Sequence, residues 1–426
     1  MTTMENVTQN RTGGQALGPM TFDEMPRLDD GTLDFRRLAT MLVETVVNAA
    51  MDLAADELVG EGNRRNGYRE RRLMTVIGEI TLRIPKLREG SYFPEEVVRP
   101  YSRTDRAMVG VIAEVYRLGL STRKIEKAAA DLEFGRLPPS TVSRMTSSLD
   151  GDVEELTAAE LDGEFPYLWL DATYVSCRNE GGRVEGAAVA TAIAAGADGS
   201  RRYVGAACVD AESRDSWRGF LLDLRRRGLR GVRLVVSDAH AGLRRAIREV
   251  FPGASWQRCI AHLERDVMGR IRARGDSARA GRALAAVFRE GDPALVRAAY
   301  GVAVREVGAI DRRAGELLED AREDALCHLS FPREHRARIR TNNVQERANR
   351  EIKRRTAVVQ VFPSRRSLMR LVCAVLADRN DAWSAGRFMD EEGMRDLDRD
   401  AASPAPTEET LRRAELIVTG ALEEAA

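Results

Sequence analysis

The order of apolar runs between Phe165 and Ile260 limits the fold more than any other feature of this sequence. Three runs, Tyr167 to Val175, Gly186 to Ala195 and Arg202 to Val209, follow one another across Gly-rich turns at Gly181-Gly182 and Gly196 to Gly199. Loops that short predict an antiparallel meander. A helical pattern from Ser213 to Arg227 leads into the run Arg233-Leu234-Val235-Val236-Ser237-Asp238, then a second helix from His240 to Val250 and a strand-like piece around Ala254 to Ile260. A short Val- and Leu-rich run is what a strand covered on both faces looks like, so the chain predicts a layered α/β domain.

The order strand, strand, strand, helix, strand, helix, strand is ribonuclease H-like, and in it strands one and four are neighbours. Asp171 ends the apolar run Tyr167 to Leu170, and Asp238 ends the fourth run. Sites of α/β folds lie at the carboxyl rim of the sheet, so the two carboxylates are expected to face each other there. Two such groups repel unless a cation lies between them, and hard oxygen donors suit Mg²⁺ or Mn²⁺. Asp238 taken alone is better explained as a cap for the helix that follows it.

A third acid is expected from the helix that opens at Thr341-Asn342-Asn343, taken as its cap, and runs through VQERANREIKRR. Glu346 shares one helical stripe with Asn343, Asn349, Arg350 and Lys353, and Val344, Ala348 and Ile352 form an apolar stripe elsewhere. An exposed glutamate in an ion-paired helix is the plain alternative for Glu346. Three acids around two divalent ions form the arrangement for in-line attack on a phosphodiester.

A chain of 426 residues accommodates two to four domains. An apolar fraction of 43% beside 31% charged residues excludes a disordered chain. No run approaches the length a membrane helix needs, and the amino terminus has no signal-peptide core, so a cytoplasmic, nucleoid-associated protein without membrane contact is expected. Five scattered cysteines argue for a reducing compartment. Net charge is zero but segregated: Pro332 to Arg379 holds 13 basic against 4 acidic residues, and Asn380 to Ala426 holds 5 against 12. That pattern predicts a polyanion-binding surface followed by a solvated or self-masking acidic tail, with a salt-bridged helical end as the alternative.

The expected domains are a mobile leader (1–30), a mostly helical DNA-binding region with a small β-hairpin (31–150), a first part of the catalytic domain (160–261), an all-helical insertion (262–335), closing catalytic helices (336–385) and an acidic tail (386–426). Asp34 to Leu58 has the spacing of a long amphipathic helix. A strand from Met74 to Ile77 turns at Gly78 into Ile80-Leu82-Ile84. Between Thr104 and Leu149, helical segments run through Val109 to Leu118, from Ser121, and from Ser140 after Pro138-Pro139. This is a helix-turn-helix pattern, with a plain helical bundle as the alternative. Arg123, Lys124, Ser143 and Arg144 are its expected DNA contacts, and Arg350, Lys353, Arg354 and Arg355 those of the closing helix.

The segments YLWLDATYV, LVVSDAHAGLRRAI, FPGASWQRCIAHLERDV and RTNNVQERANREIKRRTAVVQVFPS resemble the signature blocks of the Mutator-like transposases of bacterial insertion sequences. NGYRERRL with IPKLREGSYFP, and GLSTRKIEKA with LPPSTVSRMT, resemble that family's amino-terminal region. By this resemblance Asp171, Asp238 and Glu346 match the catalytic Asp-Asp-Glu set. It implies a Mg²⁺-dependent DNA transposase that acts as a multimer, at least a dimer, on paired terminal inverted repeats and target DNA. Departures are small: Thr341-Asn342-Asn343 replaces Thr-Thr-Asn, and Arg265-Asp266 replaces Arg-Asn. Cys259 and His262 match a Cys-x-x-His element, which is half a zinc set that Cys327, His328 and His335 would complete; a buried thiol bonded to a histidine explains the pair as well. Trp256 is read as core packing, with stacking on a flipped base as the alternative. The rival functions are a catalytically silent DNA-binding repressor and a metal-dependent nuclease without strand transfer.

Overall fold

The computed structural model describes residues 23–57, 65–88, 92–94, 97, 106–117, 120, 122–131, 138–209, 213–384, 386–397 and 405–423. The chain divides into two compact units, Met1–Ser148 and Leu149–Ala426.

In the first unit, helix α1 (Phe35–Glu57) is followed by an antiparallel hairpin of β1 (Arg65–Thr75) and β2 (Gly78–Leu87). Asp34 caps α1 by accepting from the Arg37 amide at 2.9 Å. Side chains one turn apart on α1 then bond to the hairpin: Thr40 Oγ1 donates to Ile77 O, Glu44 accepts from the Thr81 amide, and Asn48 bonds both Thr81 O and the Arg83 amide. These polar groups occupy edge positions that an unpaired strand leaves open. Beneath them Met51, Leu73, Ile80, Leu82 and Ile84 form a small core.

Three expectations change here. The first strand starts nine residues before Met74, and the turn is Val76-Ile77, with Gly78 (φ +136°) opening β2. Of the leader, residues 23–30 are described and carry a turn, the Leu28 amide bonding Thr32 O; residues 1–22 lie outside the described residues. Helix α1 contains an 18-residue window of mean hydropathy 1.4, long and apolar enough by length and composition to cross a membrane. Its polar side chains are nevertheless spent on the hairpin, and Phe35, Val46 and Leu53 stay exposed on its outer side.

The unit closes with α2 (Arg106–Arg117), α3 (Thr122–Asp131) and α4 (Pro139–Met145), which bury Met108, Ile112, Tyr116, Ile125, Val142 and Met145. Ser121 lies outside the described residues. Ser140 does not open α4; Pro138 stands at its cap and Pro139 in its first turn, where a missing N–H costs nothing.

The second unit begins with α5 (Asp150–Thr157) and the meander β3 (Tyr167–Arg178), β4 (Val184–Ala195) and β5 (Arg201–Val209). Helix α6 (Arg214–Arg226), β6 (Leu234–Ser237), α7 (Ala241–Val250) and β7 (Ser255–Arg258) complete a five-stranded mixed sheet ordered β5-β4-β3-β6-β7. The meander is antiparallel, and β6 and β7 run parallel to β3. Leu168 and Leu170 point into a core shared with Trp217, Leu221, Leu243 and Ile247 of α6 and α7. Tyr167 and Trp169, alternating with them, meet Phe331, His335 and Phe388 on the other face.

Helices α8 (Ile260–Arg270), α9 (Arg274–Arg289), α10 (Pro293–Ile310) and α11 (Arg312–Ala325) build a lobe with its own core. Asp292, with Pro293 behind it, and Asp311 cap α10 and α11. Gly315 lets these two helices touch: a Cβ there would fall 2.5 Å from the Gly308 Cα. The lobe's neck is closed, because the Ile260 amide donates to Arg340 O at 3.0 Å. It is also fixed to the last strand, where Gln257 Nε2 donates to Ala325 O and Gln257 Oε1 accepts from the His328 amide.

From the lobe the chain passes through α12 (Arg333–Ile339) to α13 (Asn343–Val359) and α14 (Arg365–Trp383), then α15 (Glu391–Arg395) and α16 (Glu408–Glu423). The solvated acidic tail is corrected here: Ala414, Val418 and Leu422 of α16, at four-residue spacing, are buried in the lobe core. An apolar stripe of that kind drives a helix inward whatever its other faces carry.

Candidate active site on the sheet rim

Strand register brings the first two acids level. Tyr167, Leu168 and Trp169 pair with Leu234, Val235 and Val236, so Asp171 on β3 and Asp238, one residue beyond β6, stand at the same height on adjacent parallel strands. Asp171 does not end its strand. Strand β3 continues to Arg178 because β4 accompanies one edge and Phe362, after α13, bridges Cys177 on the other.

Helix α13 is held on this strand by amides. Gln345, fully buried, donates through Nε2 to Trp169 O at 2.6 Å and accepts from Thr191 Oγ1 at 2.5 Å. Asn342 donates to Leu170 O at 2.9 Å, and its backbone amide donates to Cys259 Sγ at 3.2 Å. Asn342 is therefore no side-chain cap for α13; its amide is spent on the sheet. The buried stripe of α13 runs Gln345, Ala348, Ile352 and Thr356, while Val344 is half-buried. Sequence reasoning missed Gln345 and Asn342 as anchors. A glutamine in phase with Ala348 and Ile352 was the available signal, since buried amides need partners.

The anchoring turns Asn349 and Glu346 toward the acids. Asn349 Nδ2 donates to Asp171 Oδ2 at 2.7 Å, and the other Asp171 oxygen accepts from the Ala172 amide. Asp238 Oδ1 accepts from the Ala239 amide. Glu346 stands 3.6 Å from Arg265 of α8. Burial pushes the Asp171 carboxyl up to about 6 against the pull of His262, and the negative charges of Asp238 and Glu346 push the same way. The Cys259 side chain, ahead of Asp238 and Asp171, pushes the His262 imidazole up to about 9.

Among the described residues no three His, Cys, Asp or Glu side chains stand in a metal-holding group. Asp171 is engaged by Asn349, and Glu346 leans to Arg265. The donor chemistry still fits a hard divalent cation: Asp171, Asp238 and Glu346 offer carboxylate oxygens with no soft ligand required. A zinc set fits less well. His328 bonds Gln257 and Ala325 O, His335 bonds the Tyr167 hydroxyl and Asp390 O, and burial pushes the Cys327 thiol up to about 11. Trp256 donates to Ser237 Oγ and lies under the Arg244 guanidinium, a packed position.

The expected DNA contacts divide. In the first unit Arg123, Lys124, Ser143 and Arg144 are exposed. On α13, Arg350 and Lys353 are exposed, whereas Arg354 pairs with Glu351. Arg355 is corrected: only 12% of its side chain is exposed, and its guanidinium bridges Glu351 and Asp378, tying α13 to α14.

Comparison with known proteins places the chain in a family. The family model described as transposase, Mutator family, matches residues 23–386. The transposase for insertion sequence element IS1081 of Mycobacterium tuberculosis is 38% identical over 87% of this chain and 91% of its own length. The transposase for element ISRM5 of Rhizobium meliloti is 34% identical over 85% and 92%. That of IS256 in transposon Tn4001 of Staphylococcus aureus is 34% identical over 80% and 90%.

Proposed function

The chain belongs to the Mutator family of transposases, and from that premise we propose that it cuts DNA at the ends of an insertion sequence and joins the freed 3′-ends to target DNA. We read the five-stranded sheet as a ribonuclease H-like catalytic core, on its strand order and the two acids on adjacent parallel strands. The observation that supports the reading is the strand register that stands Asp171 level with Asp238 on adjacent parallel strands, with Asn349 of the Glu346-bearing helix bonded to Asp171.

Asp171, Asp238 and Glu346 would hold Mg²⁺ or Mn²⁺. When bound, a pair of such ions supplies activation of the attacking oxygen and stabilisation of the leaving oxygen in an in-line displacement at phosphorus. Asn349 fixes the Asp171 carboxylate, and Gln345 and Asn342 hold α13 so that Glu346 stays at the rim. Arg265 and His262 offer positive charge beside the acids, where a phosphodiester would lie. Attack by water cleaves the strand, and attack by a DNA 3′-hydroxyl at the same place transfers it. The exposed cations of α3 and α4 would read the terminal repeats, with Arg350 and Lys353 along the backbone near the reacting phosphate. Paired ends imply at least two copies of the chain.

The test is incubation with the terminal repeats of its own element and Mg²⁺, beside an Asp238→Asn variant. Nicking by the parent alone, with DNA binding by both, is expected; equal nicking by both would remove the site assignment. A pre-cut end bearing a free 3′-hydroxyl should yield joined product, and hydrolysis without joining would leave a nuclease.

A further inference from the structure

Beside α13, on the flank away from Glu346, lies a cleft of about 290 Å³ lined by Arg201, Arg338, Arg347, Arg379, Trp383 and Phe388 among others. Among the described residues that line it none is acidic. None of the four arginines makes an ion pair or side-chain hydrogen bond among the described residues, in a chain whose arginines are otherwise widely paired. Arg201 is clamped, its guanidinium 4.2 Å from the Trp383 ring centre and 4.0 Å from that of Phe388. Trp383 is itself stacked on Tyr203 at 5.3 Å. Burial holds the Arg201 guanidinium below its usual range, and Arg338 and Arg347 push it the same way. Four cations with no acidic side chain among them, one pre-oriented by aromatic faces, are suited to an anionic group.

Helix geometry relates this cleft to the acids. On α13, Asn343, Val344, Arg347 and Ala348 line the cleft, Glu346 and Asn349 lie on the opposite flank, and Arg350 stands on the crest between. Crossing a helix means spanning about 10 Å. At about 3.4 Å of rise per nucleotide of one strand, that is about three nucleotides. The rings hold Arg201 in place, so the ligand group is a phosphate oxygen set and not a stacked base.

We propose that the Arg201, Arg338, Arg347 and Arg379 cleft binds a backbone phosphate of the DNA strand being cut, about three nucleotides from the reacting phosphodiester, and so sets that strand's register across α13. This rests on the transposase reading above. The test uses full-length protein carrying Asp238→Asn, with and without Arg338→Ala and Arg347→Ala, both exposed positions, and terminal-repeat DNA with one uncharged methylphosphonate linkage stepped along the cut strand. A neutral linkage near the third nucleotide should weaken binding by the parent about tenfold. The arginine variant should bind all-phosphate DNA about tenfold more weakly, ignore that linkage, and lose about one from the slope of log affinity against log salt. An unchanged slope with the parent's interference pattern would overturn the proposal. So would stabilisation of the parent, but not the variant, by millimolar inorganic phosphate with no linkage dependence, which would mark a site for free phosphate. Nicking by the Asp238→Asn protein would remove the catalytic assignment and leave this binding readout standing.

Discussion

Asn349 donates its amide to the half-buried Asp171 carboxylate across 2.7 Å, and this bond joins the closing helix to the central strand at the rim of the sheet. A hydrogen bond to a charged group contributes about 1.5–3 kcal/mol. Asn349→Ala should therefore slow end nicking by about ten- to a hundredfold and lower unfolding free energy by up to about 3 kcal/mol, with terminal-repeat binding by the folded protein near the parent's. Nicking at the parental rate would show that Asp171 needs no such support.

Gln345 fills a different role. Gln345→Leu leaves Trp169 O and the Thr191 hydroxyl buried without their partner, at about 1–3 kcal/mol for each such group. Denaturant unfolding should show a loss of about 3 kcal/mol. Arg350→Ala, on the exposed side of the same helix, should change stability by less than about 0.5 kcal/mol.

His328 gives the fold an acid limit. Burial pushes its imidazole down to about 3, whereas in the unfolded chain it titrates near 6.5. The folded-state value is the lower one, so its contribution is complete above pH 6.5 and is lost as pH falls toward 3. Unfolding free energy measured between those limits should fall with acidity, and less steeply in a His328→Asn variant. Identical slopes would assign the acid sensitivity to the carboxylates.

The carboxyl-terminal helix can be tested by two substitutions two residues apart. Val418→Asp places a charge in the lobe core and should cost more than about 3 kcal/mol, or prevent folding of the lobe. Leu416, 74% exposed, should accept Asp with little change in the unfolding midpoint.

The run of apolar segments predicted the sheet's strands and the adjacency that levels Asp171 with Asp238, because pairing and burial leave a direct periodic trace. The run Tyr167 to Val175 carried the first strand past Asp171, and only its last residues, to Arg178, left no trace, since there the second edge is met by Phe362, a residue that arrives far later in the chain. The acidity of the last segment concealed the stripe of Ala414, Val418 and Leu422, which periodicity alone would have revealed. Arg355 reads as a free cation in sequence and is a buried tie in three dimensions, because Asp378 lies on the next helix. The four arginines of the cleft come from separate elements, so only folding makes them neighbours.

Ile260 meets Arg340 at the lobe's neck, and Gln257 fastens the lobe a second time at His328. With two points of attachment, one of them immediately ahead of the acid-bearing helix, the lobe is an outrigger and not a swinging arm. Whatever it grips is indexed to the rim of the sheet, as a workpiece clamped to the bed of a machine is indexed to the blade.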